Sequence, residues 1–284
     1  MRLTGVPEAS ATPEARRIRM ADIRVMVTGS CGRMGREVVK AVSYAPGMKV
    51  TCAVDRAGIG GDIGEICGLG PLGVKVSPTI EEALKHAEAD VMVDFTVAEA
   101  ALKNIKEAIC HKLRWVVGTT GISREDIDRL MAESAEAGVG GVLAPNFAIG
   151  AVLMMAFSKV ASRYMPDCEI IELHHDRKLD SPSGTAKSTA SGAAANGAKS
   201  RDDADKDAPA RGADVDGIRV HSVRLPGLVA HQEVIFGGVG QILTIRHDSI
   251  GRDSFMPGVV FAVRKAMELN EPVFGLDKAM GLDF

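Results

Sequence analysis

The chain has 284 residues, 46% hydrophobic and 25% charged, which leaves room for one large or two ordinary domains and is not the composition of a disordered chain. Its net charge of -3 offers no basic face for nucleic acid, and no apolar run approaches the roughly 18 residues of a membrane span, so neither partner is expected. Cys31, Cys52, Cys67, Cys110 and Cys168 are scattered without a CxxC pair, which argues against disulfides and structural zinc and for a reducing cytoplasm.

Residues 1–20 mix Pro7, Pro13, Arg16, Arg17 and Arg19 with acids and lack the apolar stretch of a signal peptide. A disordered tail is expected there, with Met20 a candidate start. From residue 21 apolar strands alternate with helical segments. Strands are expected over Ile23 to Thr28, Met48 to Asp55, Asp90 to Phe95, Trp115 to Val117 and Gly141 to Ala144. Helices are expected over Arg33 to Tyr44, from a Ser77-Pro78 start to about Glu88, over Ala98 to His111, and from a Ser123/Asp126 capping box to about Ala137. Residues 56–73 are glycine-rich without a period and read as a loop. This rhythm implies βαβ units and an α/β fold whose N-terminal part is a Rossmann-like, doubly wound parallel sheet.

After Asn146 the pattern changes. An apolar helix is expected over Ile149 to Tyr164, a strand over Glu169 to His174, and an Ala-rich helix from Thr185 to about Asn196. Residues 199–216 are charged without an apolar period and read as a mobile excursion. Strands Gly217 to Arg224, His231 to Phe236 and Gln241 to His247 follow, with glycine turns between them, so antiparallel neighbours are expected. A last helix, Arg252 to Met267, has nothing after it that could build a domain and is expected to return to the first one. The organisation is then a dinucleotide-binding domain from residues 21–146 and 252–284, with an α+β mixed-sheet domain over 147–251.

The first strand ends in Gly29-Ser30-Cys31-Gly32-Arg33-Met34-Gly35, and a helix follows at once. Glycines let the backbone turn sharply and let a pyrophosphate approach, and the helix N-terminus offers free N–H groups. Asp55 closes the second strand, where a carboxylate meets the ribose hydroxyls of NAD; Arg56 beside it suits a 2′-phosphate instead. The spacing is GxxGxxG rather than GxGxxG, so a tight turn with packing glycines is the plain alternative. Gly118-Thr119-Thr120-Gly121 and Ala144-Pro145-Asn146-Phe147 end two later strands, at the crevice where such sheets bind ligands.

The strand after Glu169 runs into His174-His175-Asp176-Arg177-Lys178, and a Ser183-Gly184-Thr185 turn then opens a helix. The hydroxyls and N–H groups of that turn can bind a carboxylate. Lys178 is a candidate proton donor or anion clamp, and His174 can titrate near neutral pH. A solvated cationic loop is the plain alternative. A zinc site would need a further ligand that only Asp176 offers, so no metal is expected.

Taken together, these residues resemble the 4-hydroxy-tetrahydrodipicolinate (dihydrodipicolinate) reductase family. The resemblance rests on Val27 to Gly35, Asp94-Phe95-Thr96, Val117 to Gly121, Ala144 to Phe147, Glu172 to Ala186, Phe236-Gly237-Gly238 and Arg252, and it spans residue 23 to the C-terminus. It implies NADH- or NADPH-dependent reduction of a cyclic imine dicarboxylate to tetrahydrodipicolinate on the diaminopimelate route to lysine. His174 and Lys178 would be the proton-transferring residues. His175, Ser183, Gly184 and Thr185 would hold substrate. Gly29 to Met34, Asp55, Arg56, Gly118 to Thr120 and Ala144 to Phe147 would line the cofactor. The second domain would also build a homotetramer.

Four features depart from the family pattern: Cys31 in the glycine loop, Asp55 where many members have Glu, the Asp176-Arg177 pair, and a longer charged excursion near Asp202 to Asp207. Two rivals remain. A semialdehyde dehydrogenase needs a nucleophilic cysteine, for which Cys168 is the candidate. A redox sensor would bind NAD(H) without turnover and would need no Lys178.

Overall fold

Short, doubly buried apolar runs build the first half of the chain. The computed structural model describes residues 22–201 and 209–282; the expected tail, Met20 and the centre of the charged excursion lie outside them. Strands β1 (Ile23–Thr28), β2 (Met48–Val54), β3 (Val76–Ser77), β4 (Val91–Asp94), β5 (Arg114–Val117) and β6 (Gly141–Leu143) are all parallel. Between them run helices α1 (Arg33–Tyr44), α2 (Ile63–Cys67), α3 (Ile80–Leu84), α4 (Ala98–Cys110) and α5 (Arg124–Glu136). Alternate residues of one strand feed two cores, as a sheet covered on both faces requires. Val25 and Val27 join the core that contains Val38 and Val263, whereas Met26 joins Met92, Ile105 and Trp115 on the opposite face. Trp115 is fully buried and donates its indole N–H to Ser134 Oγ at 2.9 Å.

The second half comprises α6 (Ile149–Ser162), β7 (Asp167–His174), α7 (Gly184–Ala195), β8 (Ala213–Val215), β9 (Ile218–Arg224), β10 (Ala230–Gly238) and β11 (Gln241–Ser249). Its sheet has the order β11-β10-β7-β9-β8, with β7 and β9 parallel and the other pairs antiparallel. A 3-10 turn at Arg252–Phe255 then leads into α8 (Met256–Glu268), β12 (Pro272–Phe274) and α9 (Leu276–Ala279). Val259, Ala262, Val263 and Ala266 of α8 pack into the first core, and β12 pairs with β6 at the edge of the first sheet. That sheet has the order β12-β6-β5-β4-β1-β2-β3.

The structure corrects the sequence reading at several points. Residues 56–73 are not all loop: Asp62 caps α2 by accepting the Gly64 and Glu65 N–H groups and also takes those of Leu72 (3.0 Å) and Gly73 (2.6 Å). Ser77 is no helix cap, because it pairs with Val54 in β3; Thr79 caps α3, which stops at Leu84. β9 and β10 are not neighbours, since β7 lies between them and satisfies both edges. The charged excursion contains β8 and a 3-10 turn at Pro209–Arg211.

Candidate functional site

The glycine loop sits at the C-terminal end of β1, at the centre of the parallel sheet. Gly29 has φ +70°, and a Cβ added at Gly35 would lie 2.0 Å from the Gly29 carbonyl oxygen. The loop therefore needs glycine at both positions to fold back on the first turn of α1. Gly32 is the N-cap of α1 and supplies no side-chain bond, so the N–H groups of that turn are left for a ligand. A cleft of about 370 Å³ opens here, lined by Gly29, Gly32, Asp55, Arg56 and Thr96 among others. These features fit a dinucleotide pyrophosphate at the helix terminus.

Asp55 is engaged by protein on both oxygens. It accepts the Cys31 N–H at 2.9 Å and the Ala57 N–H at 2.9 Å. It thus ties the glycine loop to the end of β2, and Arg56 beside it on the cleft wall has no such tie among the described residues. Ser30 is fully buried, Arg33 is exposed, and Met34 packs against the core. Cys31 Sγ contacts the Ala57 carbonyl at 3.2 Å, and burial together with Asp55 raises its thiol pKa.

Gly118 is explained by packing: a Cβ there would lie 2.1 Å from the Phe95 ring. Thr119 donates to Asp94 at 2.9 Å, whereas Thr120 is exposed. Ala144 and Phe147 are buried, and Phe147 stacks at a tilt on Phe95 with centroids 5.7 Å apart. Of the Ala144 to Phe147 run, Pro145 and Asn146 reach the next cavity.

That cavity, about 180 Å³, lies between the end of β6 and the mixed sheet. Its floor follows from strand register. Ile170, Val220, Val234 and Ile245 form an apolar row across β7, β9, β10 and β11. The next inward row is polar: Ser222, Glu172, Gln232 and His247. The row after it holds Arg224, His174, Ala230 and Ser249. On this face the rows turn polar toward the end of the sheet beneath the first turn of α7. Ser183 caps that helix by accepting the Ala186 N–H at 3.1 Å, which leaves the Gly184 and Thr185 N–H groups without an intrahelical partner. His174, Ser183 and Thr185 all line the cavity.

Glu172 is fully buried at the centre of this end. Burial would raise its pKa, but hydrogen bonds from His174, Arg224 and Ser222 outweigh that and hold it at about 2. Gln232 donates to Thr189 at 2.7 Å, and His231 bonds Asp248 at 2.7 Å. Burial pushes the His247 imidazole pKa down. Lys178 is not part of the cavity wall. Its ammonium donates to both Asp180 oxygens, at 2.7 and 3.0 Å. His175 Nδ1 is buried without a partner among the described residues.

Sequence reasoning singled out neither Glu172, Arg224, Gln232 nor His247. An acid alternating with Ile170 on a buried face was the available signal for Glu172. Asp94 was also passed over as a site residue. It is fully buried and accepts from Thr28, Thr96, Asn104 and Thr119, so it joins the ends of β1, β4 and β5. Cys168 is buried, and its thiol is pushed up to about 12 by burial and by Glu169. It has no thiolate to offer as a nucleophile.

Residues 23–147 match the family described as dihydrodipicolinate reductase, N-terminus, and residues 150–280 match its C-terminus. The 4-hydroxy-tetrahydrodipicolinate reductase of Moorella thermoacetica is 49% identical over 92% of this chain and 99% of its own. That of Thermosynechococcus vestitus is 47% identical over 91% and 97%. The dipicolinate-bound dihydrodipicolinate reductase from Paenisporosarcina sp. TG-14 superposes with a TM-score of 0.81 at 41% identity, over 90% of this chain and 99% of that one. An amine dehydrogenase from Mycobacterium smegmatis, at 15% identity and TM-score 0.65, shares the fold.

Proposed function

The chain belongs to the dihydrodipicolinate reductase family, and from that membership we propose how its residues divide the work. The activity is that of a 4-hydroxy-tetrahydrodipicolinate reductase: with a nicotinamide cofactor it reduces the cyclic imine dicarboxylate to tetrahydrodipicolinate, with loss of water, on the diaminopimelate route to lysine. When bound, the dihydronicotinamide supplies the hydride.

The division into a dinucleotide-binding part, residues 21–146 and 252–284, and a substrate-binding part, 147–251, is supported by the return of α8 and β12 to the first sheet. Residues Gly29 to Met34 and the uncapped turn of α1 take the pyrophosphate. Asp55 holds this loop closed, and Arg56 is placed to meet a 2′-phosphate, so the cofactor of this reading is NADH, NADPH or both. Gly118 to Thr120 and Pro145-Asn146 border the nicotinamide end, with Ala144 and Phe147 as packing beneath them.

The substrate is a dianion. Gly184 and Thr185 take one carboxylate at the α7 terminus, where N–H groups and helix dipole both favour it. Ser183 shapes that turn as its cap, and His175 contacts substrate. His174 and Lys178 carry the proton that completes the reduction. Lys178 does so by exchanging Asp180 for the substrate, which brings its ammonium to the cavity. The observation that carries this reading is the juxtaposition of His174 with the open helix turn at Thr185, across from Pro145 and Asn146. A cytoplasmic homotetramer completes the proposal, supported by exposed Val239, Ile242 and Leu243 around the β10–β11 turn.

The direct test mixes the protein with NADH or NADPH and freshly made product of the preceding synthase, and follows loss of reduced-nicotinamide absorbance. Loss with at least one cofactor is expected. None with either would overturn the assignment.

A further inference from the structure

Glu172 meets more partners than burial alone explains. Both Arg224 terminal nitrogens donate to it, at 2.9 and 2.7 Å, and the Ser183 N–H donates at 3.3 Å. His174 Nδ1 lies in hydrogen-bond contact with the oxygen that the first of these nitrogens takes. Arg224 also donates to the Asp180 carbonyl at 2.8 Å. One buried carboxylate therefore connects the ring of His174, the cap of α7 and, through Arg224, the loop that carries Lys178.

We propose that Glu172 is the positioning residue of His174: it holds the proton on Nδ1 and turns Nε2 to the cavity, while Arg224 ties the Lys178 loop to the same carboxylate. This rests on the reading above that His174 exchanges a proton with substrate.

A neutral imidazole can carry its proton on either nitrogen. An ionised carboxylate only accepts, so the nitrogen facing it must donate. Nε2 is then the nitrogen that gains a proton on forming the imidazolium and gives it up to the reduced ring. Glu172 does not take part in that transfer. Its two Arg224 bonds keep it ionised, so the negative charge stays fixed beside the ring.

The other charged groups facing this end are accounted for. From β9 comes Arg224; from the loop come Asp180 and Lys178, paired with each other. From β10 and β11 come His231, bound to Asp248, and His247, which burial disfavours as a cation. None of these supplies His174 with a second carboxylate. Arg224 Nε is buried without a partner among the described residues, so its two terminal nitrogens hold it in place.

The first measurement reads the ring in the unaltered protein. Long-range 1H–15N spectra of the full chain, with His174 assigned by loss of its signals in His174→Asn, report the tautomer. The neutral ring is expected to carry its proton on Nδ1; a proton on Nε2 overturns the proposal. The second measurement is kinetic. Glu172→Gln should lower kcat by about tenfold or more with little change in the KM for substrate. It should also move the pH limb of kcat, because the fixed charge beside the ring is gone. Glu172→Asp should recover part of both. A Glu172→Gln protein that turns over at the wild-type rate with an unmoved limb, while His174→Asn is inactive, overturns the positioning role and leaves the catalytic reading standing. A wild-type rate in His174→Asn overturns the catalytic reading itself, and this proposal with it.

Discussion

Asn146, just past the end of β6, reaches Thr185 on the first turn of α7 at 3.5 Å. Its other amide atom accepts the Ala148 N–H at 2.9 Å, at the start of α6. One side chain thus joins the end of β6 to the first turn of α7. Asn146→Asp keeps the acceptor for Ala148 and loses the donor to Thr185. It also places a negative charge beside the substrate carboxylate. The variant should fold within about 1 kcal/mol of the parent and raise the substrate KM roughly tenfold. Thermal unfolding beside steady-state kinetics separates the two effects. An unchanged KM would show that Asn146 does not face bound substrate.

Asp55 and Arg56 share the wall of the cleft beside the glycine loop but are held differently. Both Asp55 oxygens are spent on the Cys31 and Ala57 N–H groups, so the residue acts on the glycine loop before it acts on any ribose. Asp55→Ala should raise the KM for NADH and NADPH together, by roughly tenfold. Arg56→Ala should raise the KM for NADPH alone. A loss confined to NADH in Asp55→Ala would mean that the carboxylate leaves the loop to bind the ribose.

The parts that sequence made legible are those in which local pattern and burial coincide. β1, β4 and β5 are apolar runs because both faces of the parallel sheet are covered. Ser123 announces α5 because its hydroxyl accepts the Asp126 N–H, as the capping pattern requires. What escaped was set by distant partners. The five residues of α2 hold no full apolar period, and Asp62 stabilises them through N–H groups as far along as Gly73. Gly227 suggested a hairpin between β9 and β10, yet β7 occupies that place. The same holds for the site. His174, Ser183 and Thr185 lie in one short segment and were readable. Arg224 and Gln232 become their neighbours only through the register of β9 and β10 against β7.

Asp94 gives the clearest stability test. It is in no ion pair among the described residues; Thr28, Thr96, Asn104 and Thr119 satisfy it through hydroxyl and amide donors at 2.7–2.9 Å. Asp94→Ala takes the acceptor from those donors, of which Thr28 and Thr119 are buried, a cost on the order of 3 kcal/mol. Asp94→Asn retains one acceptor and should cost less. Because the residue links the loops after β1, β4 and β5, cofactor KM should rise in both variants. Denaturant unfolding and cofactor titration measure these separately. An Asp94→Ala protein as stable as the parent would mean that water replaces the carboxylate in that crevice.

Glu172 also predicts how the fold responds to acid. Its carboxyl sits at about 2, against an ordinary value of 4.5, because its hydrogen bonds from His174, Arg224 and Ser222 outweigh burial. The folded value is the lower one, so the folded protein releases this proton more readily than the unfolded chain. The stabilisation is therefore fully present above about 4.5 and is lost as pH falls from there toward 2, an effect on the order of 3 kcal/mol. Other carboxylates are also held below their ordinary values, among them Asp90 through its hydrogen bond from Arg24. The comparison with Glu172→Gln removes their contribution. The stability advantage of the parent over that variant should shrink between about pH 5.5 and about pH 3, as read from urea midpoints. Arg224 is left unpaired in the variant at both pH values, so that cost cancels in the difference. An advantage that stays constant across the window would show that Glu172 is protonated at the same pH in the folded and unfolded chains, and that its contacts with Arg224 do not favour the ionised form.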